Sequence, residues 1–182
     1  MTTALLVIDV QESFRQQPIW PQISAPDIAE RVARLVDHSR ERGESVIWVL
    51  HTEPGTGGPF DPESGHIELL PELKPAAGEV VLHKTSHNAF TTTNLAQHLT
   101  TQGVDEVIVT GIRTEQCCET TARLASDLGY RVRFVIDATA THPLPSWDGT
   151  GVLTTDEVIA RTAAALHGRF ADVVTIKDVL AS

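Results

Sequence analysis

The chain has 182 residues, 41% hydrophobic and 21% charged, with a formal net charge of -10. That length suits one domain, 1–182, with a substantial core, and so acidic a balance argues against a nucleic-acid partner, which calls for clustered Lys and Arg. The only cysteines, Cys117 and Cys118, are adjacent; neighbours do not build a disulfide framework, so a reducing, cytoplasmic setting is expected.

The N-terminal run Ala4-Leu5-Leu6-Val7-Ile8 has no basic leader and ends at Asp9. It reads as a first strand rather than a signal peptide. No apolar run approaches the roughly 20 residues of a membrane span, so no membrane partner is expected. Residues 26–42 carry Ile28, Val32, Leu35 and Val36 at helical spacing before Gly43, which predicts an amphipathic helix and its stop. Residues 45–50 and 79–82 read as strands, 93–102 as a helix stopped by Gly103, and 106–109 as a buried strand. A helix containing Cys117 follows, with Thr121, Leu124, Ala125 and Leu128 spaced for one buried face and Gly129 as its end. Residues 131–136 and 173–176 read as strands around a helix over 155–166, capped by Thr154 or Thr155. Strands apolar on both faces, alternating with helices, predict an α/β fold: a three-layer α/β/α, doubly wound, mainly parallel sheet of about six strands. Two Gly- and Pro-rich segments, 51–65 and 141–151, follow strand ends and read either as lids or as irregular connections.

Three residues could carry chemistry. Asp9 ends the first strand, where desolvation would make its carboxylate a usable base. Lys84 continues an apolar strand, an unusual place for an ammonium unless a carboxylate meets it. Cys117 lies in the first turn of a helix just past a strand, where the helix dipole favours a thiolate. Each has an ordinary explanation alone: a strand-terminal Asp capping a turn, a Lys reaching solvent, a small buried Cys. Together they are stronger, because the carboxyl ends of parallel strands share one edge, where ligands bind. The turn after the first strand, Asp9-Val10-Gln11-Glu12, lacks the Gly-rich fingerprint of dinucleotide binding.

The pattern resembles the isochorismatase-like cysteine hydrolases, the superfamily that includes nicotinamidase and N-carbamoylsarcosine amidohydrolase. The resemblance rests on Leu6-Val7-Ile8-Asp9-Val10-Gln11 with Phe14, Lys84 with Ala89-Phe90, Thr110-Gly111-Ile112-Arg113-Thr114 with Cys117 and Thr121, Gly129-Tyr130, and Asp137-Ala138. It implies a catalytic triad of Asp9, Lys84 and Cys117. It also implies a cis peptide between Ile112 and Arg113, turning the Arg113 amide toward the Cys117 amide as an oxyanion hole. By position Gln11, Phe14, Trp20, His51 and Phe90 are expected to wall a substrate pocket, with core packing the other reading for the aromatics. The implied reaction cleaves a C–N bond of a small amide, urea or carbamoyl compound through a thioester, with no cofactor. The implied assembly is a homo-oligomer, a dimer or tetramer. The alternatives are vinyl-ether hydrolysis of the isochorismatase type, which uses the acid without the thiol, and a non-catalytic interaction protein bearing an oxidisable thiol.

Three departures from that family stand out. The Asp-x-His metal motif of nicotinamidases reads His51-Thr52-Glu53 here, so no metal is expected. Asn88 stands where many relatives have Ser before the Ala-Phe pair. Arg113 replaces a small residue; it either reaches a substrate anion or faces solvent, and solvent is the expectation.

Overall fold

The structure, a computed structural model, describes residues 2–182. In chain order it contains β1 (Thr3–Ile8), α1 (Glu12–Arg15), α2 (Ile28–Glu41), β2 (Ser45–His51), β3 (Val80–Lys84), α3 (Leu95–Thr101) and β4 (Glu106–Ile112). A turn of π-helix over Thr114–Cys118 leads into α4 (Glu119–Asp127), followed by β5 (Arg131–Ala140), β6 (Leu144–Pro145), β7 (Val152–Leu153), α5 (Thr155–Leu166), β8 (Asp172–Val174) and α6 (Ile176–Leu180).

Six strands form one parallel sheet in the order β3-β2-β1-β4-β5-β8. The chain steps outward from β1 through β2 to β3, returns to β4, and then steps outward the other way. The direction therefore reverses between β1 and β4, and their carboxyl ends flank the crevice where such sheets bind ligands. Every residue of β1 is buried. Alternation along that strand divides the core in two. Leu5 and Val7 face α2 and α6, meeting Val32, Leu35 and Val179. Leu6 and Ile8 face α3, α4 and α5, meeting Leu99, Ala122 and Leu166.

Several boundaries differ from the sequence reading. β4 and β5 run on to Ile112 and Ala140, past the last strongly apolar residues of each run. The last strand stops at Val174, because Thr175 starts a helix instead: Thr175 Oγ accepts from the Asp178 amide while Asp178 accepts from the Thr175 amide. This reciprocal cap outweighs the strand preference of Ile176. Leu128, expected on a buried face, is 52% exposed, because α4 ends at Asp127 and packs through the small residues Thr121, Ala122 and Ala125. Segment 141–151 supplies β6, which pairs antiparallel with β7 just beyond it, so its irregular residues 146–151 form the tip of a short hairpin.

Gly111 sets how closely β4 approaches β1. The β4–β5 register shifts between Val109 and Gly111, and Gly111 adopts φ 131. A Cβ built there would sit 1.9 Å from the Ile8 carbonyl oxygen, an atom that cannot move without the central strand. Gly111→Ala is therefore expected to destabilise the protein by more than about 2 kcal/mol. A denaturant midpoint within error of the wild type would show that β1 and β4 do not need this contact.

Candidate active site

Asp9 leaves β1 with φ 54, a left-handed conformation that Asp tolerates better than most residues. Its amide donates to the Val49 carbonyl at 2.8 Å, fixing the turn against β2. Lys84 is the last residue of β3 and pairs in register with His51, the last of β2. Cys117 lies in the π turn that joins β4 to α4. Three strand ends thus supply the three groups.

They meet around one ammonium. Lys84 Nζ lies 2.8 Å from Asp9 Oδ2 and 3.3 Å from Cys117 Sγ. It also lies 3.2 Å from the Ser86 carbonyl oxygen and 3.3 Å from His51 Nδ1. Asp9 and Lys84 have no exposed surface, and Cys117 is 6% exposed. The Asp9 carboxyl is compensated first by the charge of Lys84, with hydrogen bonding from Lys84 and Cys117 contributing after it. The Lys84 contact assigns the unprotonated nitrogen of His51 to Nδ1, which puts the proton on Nε2, 3.4 Å from Glu53 Oε1.

Burial raises the Asp9 pKa, against the opposing charge of Lys84. Burial also depresses Lys84, but the charges of Asp9 and Cys117 outweigh it and leave the ammonium raised. The Cys117 thiol is pushed up to about 12, first by burial and then by the Asp9 charge, against the pull of Lys84. Burial thus opposes the pull of a helix terminus toward the thiolate. A helix terminus contributes about 0.3–1 kcal/mol. The upward shift from 9.0 corresponds to on the order of 4 kcal/mol against ionisation. The thiol beside the Asp9–Lys84 pair is therefore neutral at rest.

The peptide between Ile112 and Arg113 is cis. The Arg113 carbonyl accepts from the amides of Gln116 and Cys118, both at 3.2 Å, which closes the π turn. The turn is tied to β5 by Thr114 Oγ, which donates to Thr139 Oγ at 2.9 Å.

The residues expected to wall a pocket fall into different roles. Gln11 is fully buried and acts as a brace: Nε2 donates to the His51 carbonyl and Ser13 Oγ, and Oε1 accepts from the His51 amide at 2.7 Å. Its amide is committed to holding the ends of β1 and β2 together. Phe14 packs edge-on against Phe60 at 4.9 Å, and Phe60 packs against His51 at 5.7 Å. Phe60 belongs to the 51–65 segment, which therefore packs onto the ring of His51. Trp20 is half-buried, 6.4 Å from the ring of His142. Phe90 stacks on Tyr130 at 6.2 Å within the apolar layer that also holds Cys117.

Arg113 does not face solvent as expected. Its side chain is 18% exposed, with Nε 3.2 Å from Glu115 Oε1. Sequence reasoning passed over Phe60, Glu115 and His142. His142 follows the buried end of β5, the same signal that singled out Asp9 at the end of β1.

No group of three or more His, Cys, Asp or Glu side chains is arranged as metal ligands among the described residues. No helix among them is long and apolar enough to cross a membrane. A surface groove of about 520 Å³ lies along the outer edge of β3 between Leu73, Val81 and His83 and includes none of Asp9, Lys84 and Cys117.

Comparison with known proteins places this geometry. The model of the isochorismatase domain matches residues 3–178. A solved isochorismatase from Pseudomonas putida KT2440 superposes with a TM-score of 0.88 at 34% identity, covering 97% of this chain and 89% of that one. A cysteine hydrolase from Pseudomonas syringae pv. phaseolicola 1448A superposes with a TM-score of 0.90 at 25% identity, over 98% and 91% of the two chains. Nicotinamidase 3 of Arabidopsis thaliana is 34% identical over 153 residues, 76% of this chain and 73% of the relative. With the model matched over almost its whole length and a six-stranded sheet in common with these neighbours, the chain belongs to the isochorismatase family of hydrolases.

Proposed function

We propose that the protein is a cysteine amidohydrolase acting on a small amide, urea or carbamoyl compound. The observation that carries this reading is the single buried ammonium of Lys84 touching both a carboxylate and a thiol at the carboxyl edge of the sheet. A trio of charged and ionisable groups without solvent is costly for stability and is characteristic of sites that do chemistry.

The steps follow from the resting state. The Asp9 carboxylate takes the proton of the Cys117 thiol as Sγ attacks the carbonyl carbon, and the carbonyl π pair moves to oxygen. Lys84 offsets the negative charge as it passes from carboxylate to sulfur. The backbone amides of Arg113 and Cys117 hold the oxyanion. On collapse the C–N bond breaks, Asp9 returns its proton to the leaving nitrogen, and a thioester remains. Water then attacks the thioester, giving a proton to Asp9. The carboxylic or carbamic acid departs, and the sulfur is reprotonated. A thiol raised to about 12 suits this sequence, because the thiolate forms only as it is consumed.

Cys117→Ala is expected to abolish ammonia release from a panel of small amides and ureas while leaving the circular-dichroism spectrum and melting temperature unchanged. Ammonia release at the wild-type rate by that variant would remove the thioester from the mechanism. Retained cleavage of isochorismate would point to the acid acting alone.

The pH dependence has a definite sign. Asp9 must be ionised to accept the proton, and its pKa is raised from 3.8. The acidic limb of kcat/KM is thus expected above the ordinary carboxylate range, with activity falling as pH falls through it. Because the Asp9 charge raises the thiol, Asp9→Asn should lower the Cys117 pKa from about 12 even as it removes turnover. Thiolate absorbance followed against pH measures this; a thiol that titrates unchanged or higher would separate Asp9 from the sulfur.

A further inference from the structure

Lys84 has more acceptors around it than protons to give. Asp9 Oδ2 at 2.8 Å, the Ser86 carbonyl oxygen at 3.2 Å, and Cys117 Sγ and His51 Nδ1, both at 3.3 Å, all lie within reach of Nζ. An ammonium carries three N–H donors, so one of these four atoms is always left without one. At rest that atom is the sulfur. A neutral thiol is the weakest acceptor of the set, and its own proton is directed at Asp9.

His51 is held firmly in this competition. The Gln11 side chain clamps its amide at 2.7 Å and its carbonyl at 3.0 Å. The sheet register pairs it with Lys84, and the Thr52 amide and hydroxyl both donate to the Lys84 carbonyl. The ring packs against those of Phe60 and His87, with centroids 5.7 and 6.4 Å away, and its side chain is 12% exposed. Nε2 faces Glu53 Oε1 at 3.4 Å, so Nδ1 presents a lone pair to Lys84. Burial, and then the charge of Lys84, keep the ring below the ordinary histidine range, against the pull of Asp9 and Glu53. The acceptor is therefore present near neutral pH. A residue that only walled a pocket would need none of these attachments.

We propose that His51 is a positioning residue that competes with Cys117 for one N–H of Lys84 and so governs how readily the thiol ionises. At rest this N–H points to Nδ1, and the sulfur receives only the charge of the ammonium. As the thiol proton passes to Asp9, the same N–H turns from Nδ1 to Sγ. Lys84 keeps all its protons, and only the direction of one changes. The hydrogen bond to sulfur is thus made as negative charge develops there, where it favours the transition state over the ground state. For its part in turnover this assignment rests on the cysteine amidohydrolase reading, but it can be read from the sulfur alone.

The test follows thiolate absorbance against pH, taken as the difference from the matching Cys117→Ala protein. His51→Phe keeps a ring against Phe60 and His87 and offers no acceptor. At a pH below the midpoint its thiolate fraction should exceed that of the wild type about 10-fold, as one hydrogen bond to a charged group predicts. His51→Asn sets an amide oxygen near the place of Nδ1 and should stay close to the wild type. A His51→Phe protein that titrates like the wild type overturns the proposal. So does a shift in His51→Asn as large as that in His51→Phe, which would report loosened packing around the sulfur.

If His51→Phe does not fold, nitrogen NMR of the wild-type imidazole decides. His51 should be the neutral Nε2–H tautomer with Nδ1 accepting a hydrogen bond, and a proton on Nδ1 overturns the proposal. None of these measurements uses a substrate. A panel of amides left uncleaved would count against the amidohydrolase reading and leave the His51 contact to be judged by the titration.

Discussion

The buried contact between Lys84 and Asp9 is the constraint on which the rest of this molecule turns. Two opposite charges without solvent are tolerable only while each has the other, and losing one partner of such a pair costs about 3–5 kcal/mol. The end of β1 and the end of β3 must therefore stay in place, although β2 lies between them in the sheet. The Gln11 brace to the His51 backbone fastens β1 to β2, and the register of His51 with Lys84 fastens β2 to β3. Position and charge are maintained by separate devices. Backbone and amide hydrogen bonds set the distance, and the ion pair sets the ionisation.

The same pair governs the sulfur. Cys117 receives one favourable charge and one unfavourable one, and burial decides the balance toward the neutral thiol. Under the proposed mechanism the nucleophile is made only as the proton leaves, at the moment of attack. A neutral thiol is also slow to oxidise, since oxidation begins from the thiolate.

Much of this was legible in the sequence, and for identifiable reasons. Apolar runs rich in Val and Ile marked all six strands of the sheet, with ends displaced by no more than a few residues, because strands covered on both faces are predominantly apolar. Asp9, Lys84 and Cys117 stood out because each is a polar group at the end of such a run. What was hidden had both local and distant causes. Thr175 with Asp178 turns the end of an apparent strand into a helix cap, and Leu128 falls outside the buried face because α4 stops one residue earlier. For Cys117 the helix position is visible in the sequence, whereas the burial that holds the thiol neutral is set by the whole fold. The inward course of Arg113 was misread because its partner Glu115 is itself held by Thr141, from beyond the end of β5.

One consequence concerns the 51–65 segment. The Glu53 amide is bonded to the Phe60 carbonyl at 2.7 Å, and the Phe60 ring packs against both His51 and Phe14. His51 Nδ1 in turn lies 3.3 Å from Lys84 Nζ. A displacement of this stretch of backbone is therefore transmitted, through one phenyl ring and one imidazole, to the ammonium shared by Asp9 and Cys117.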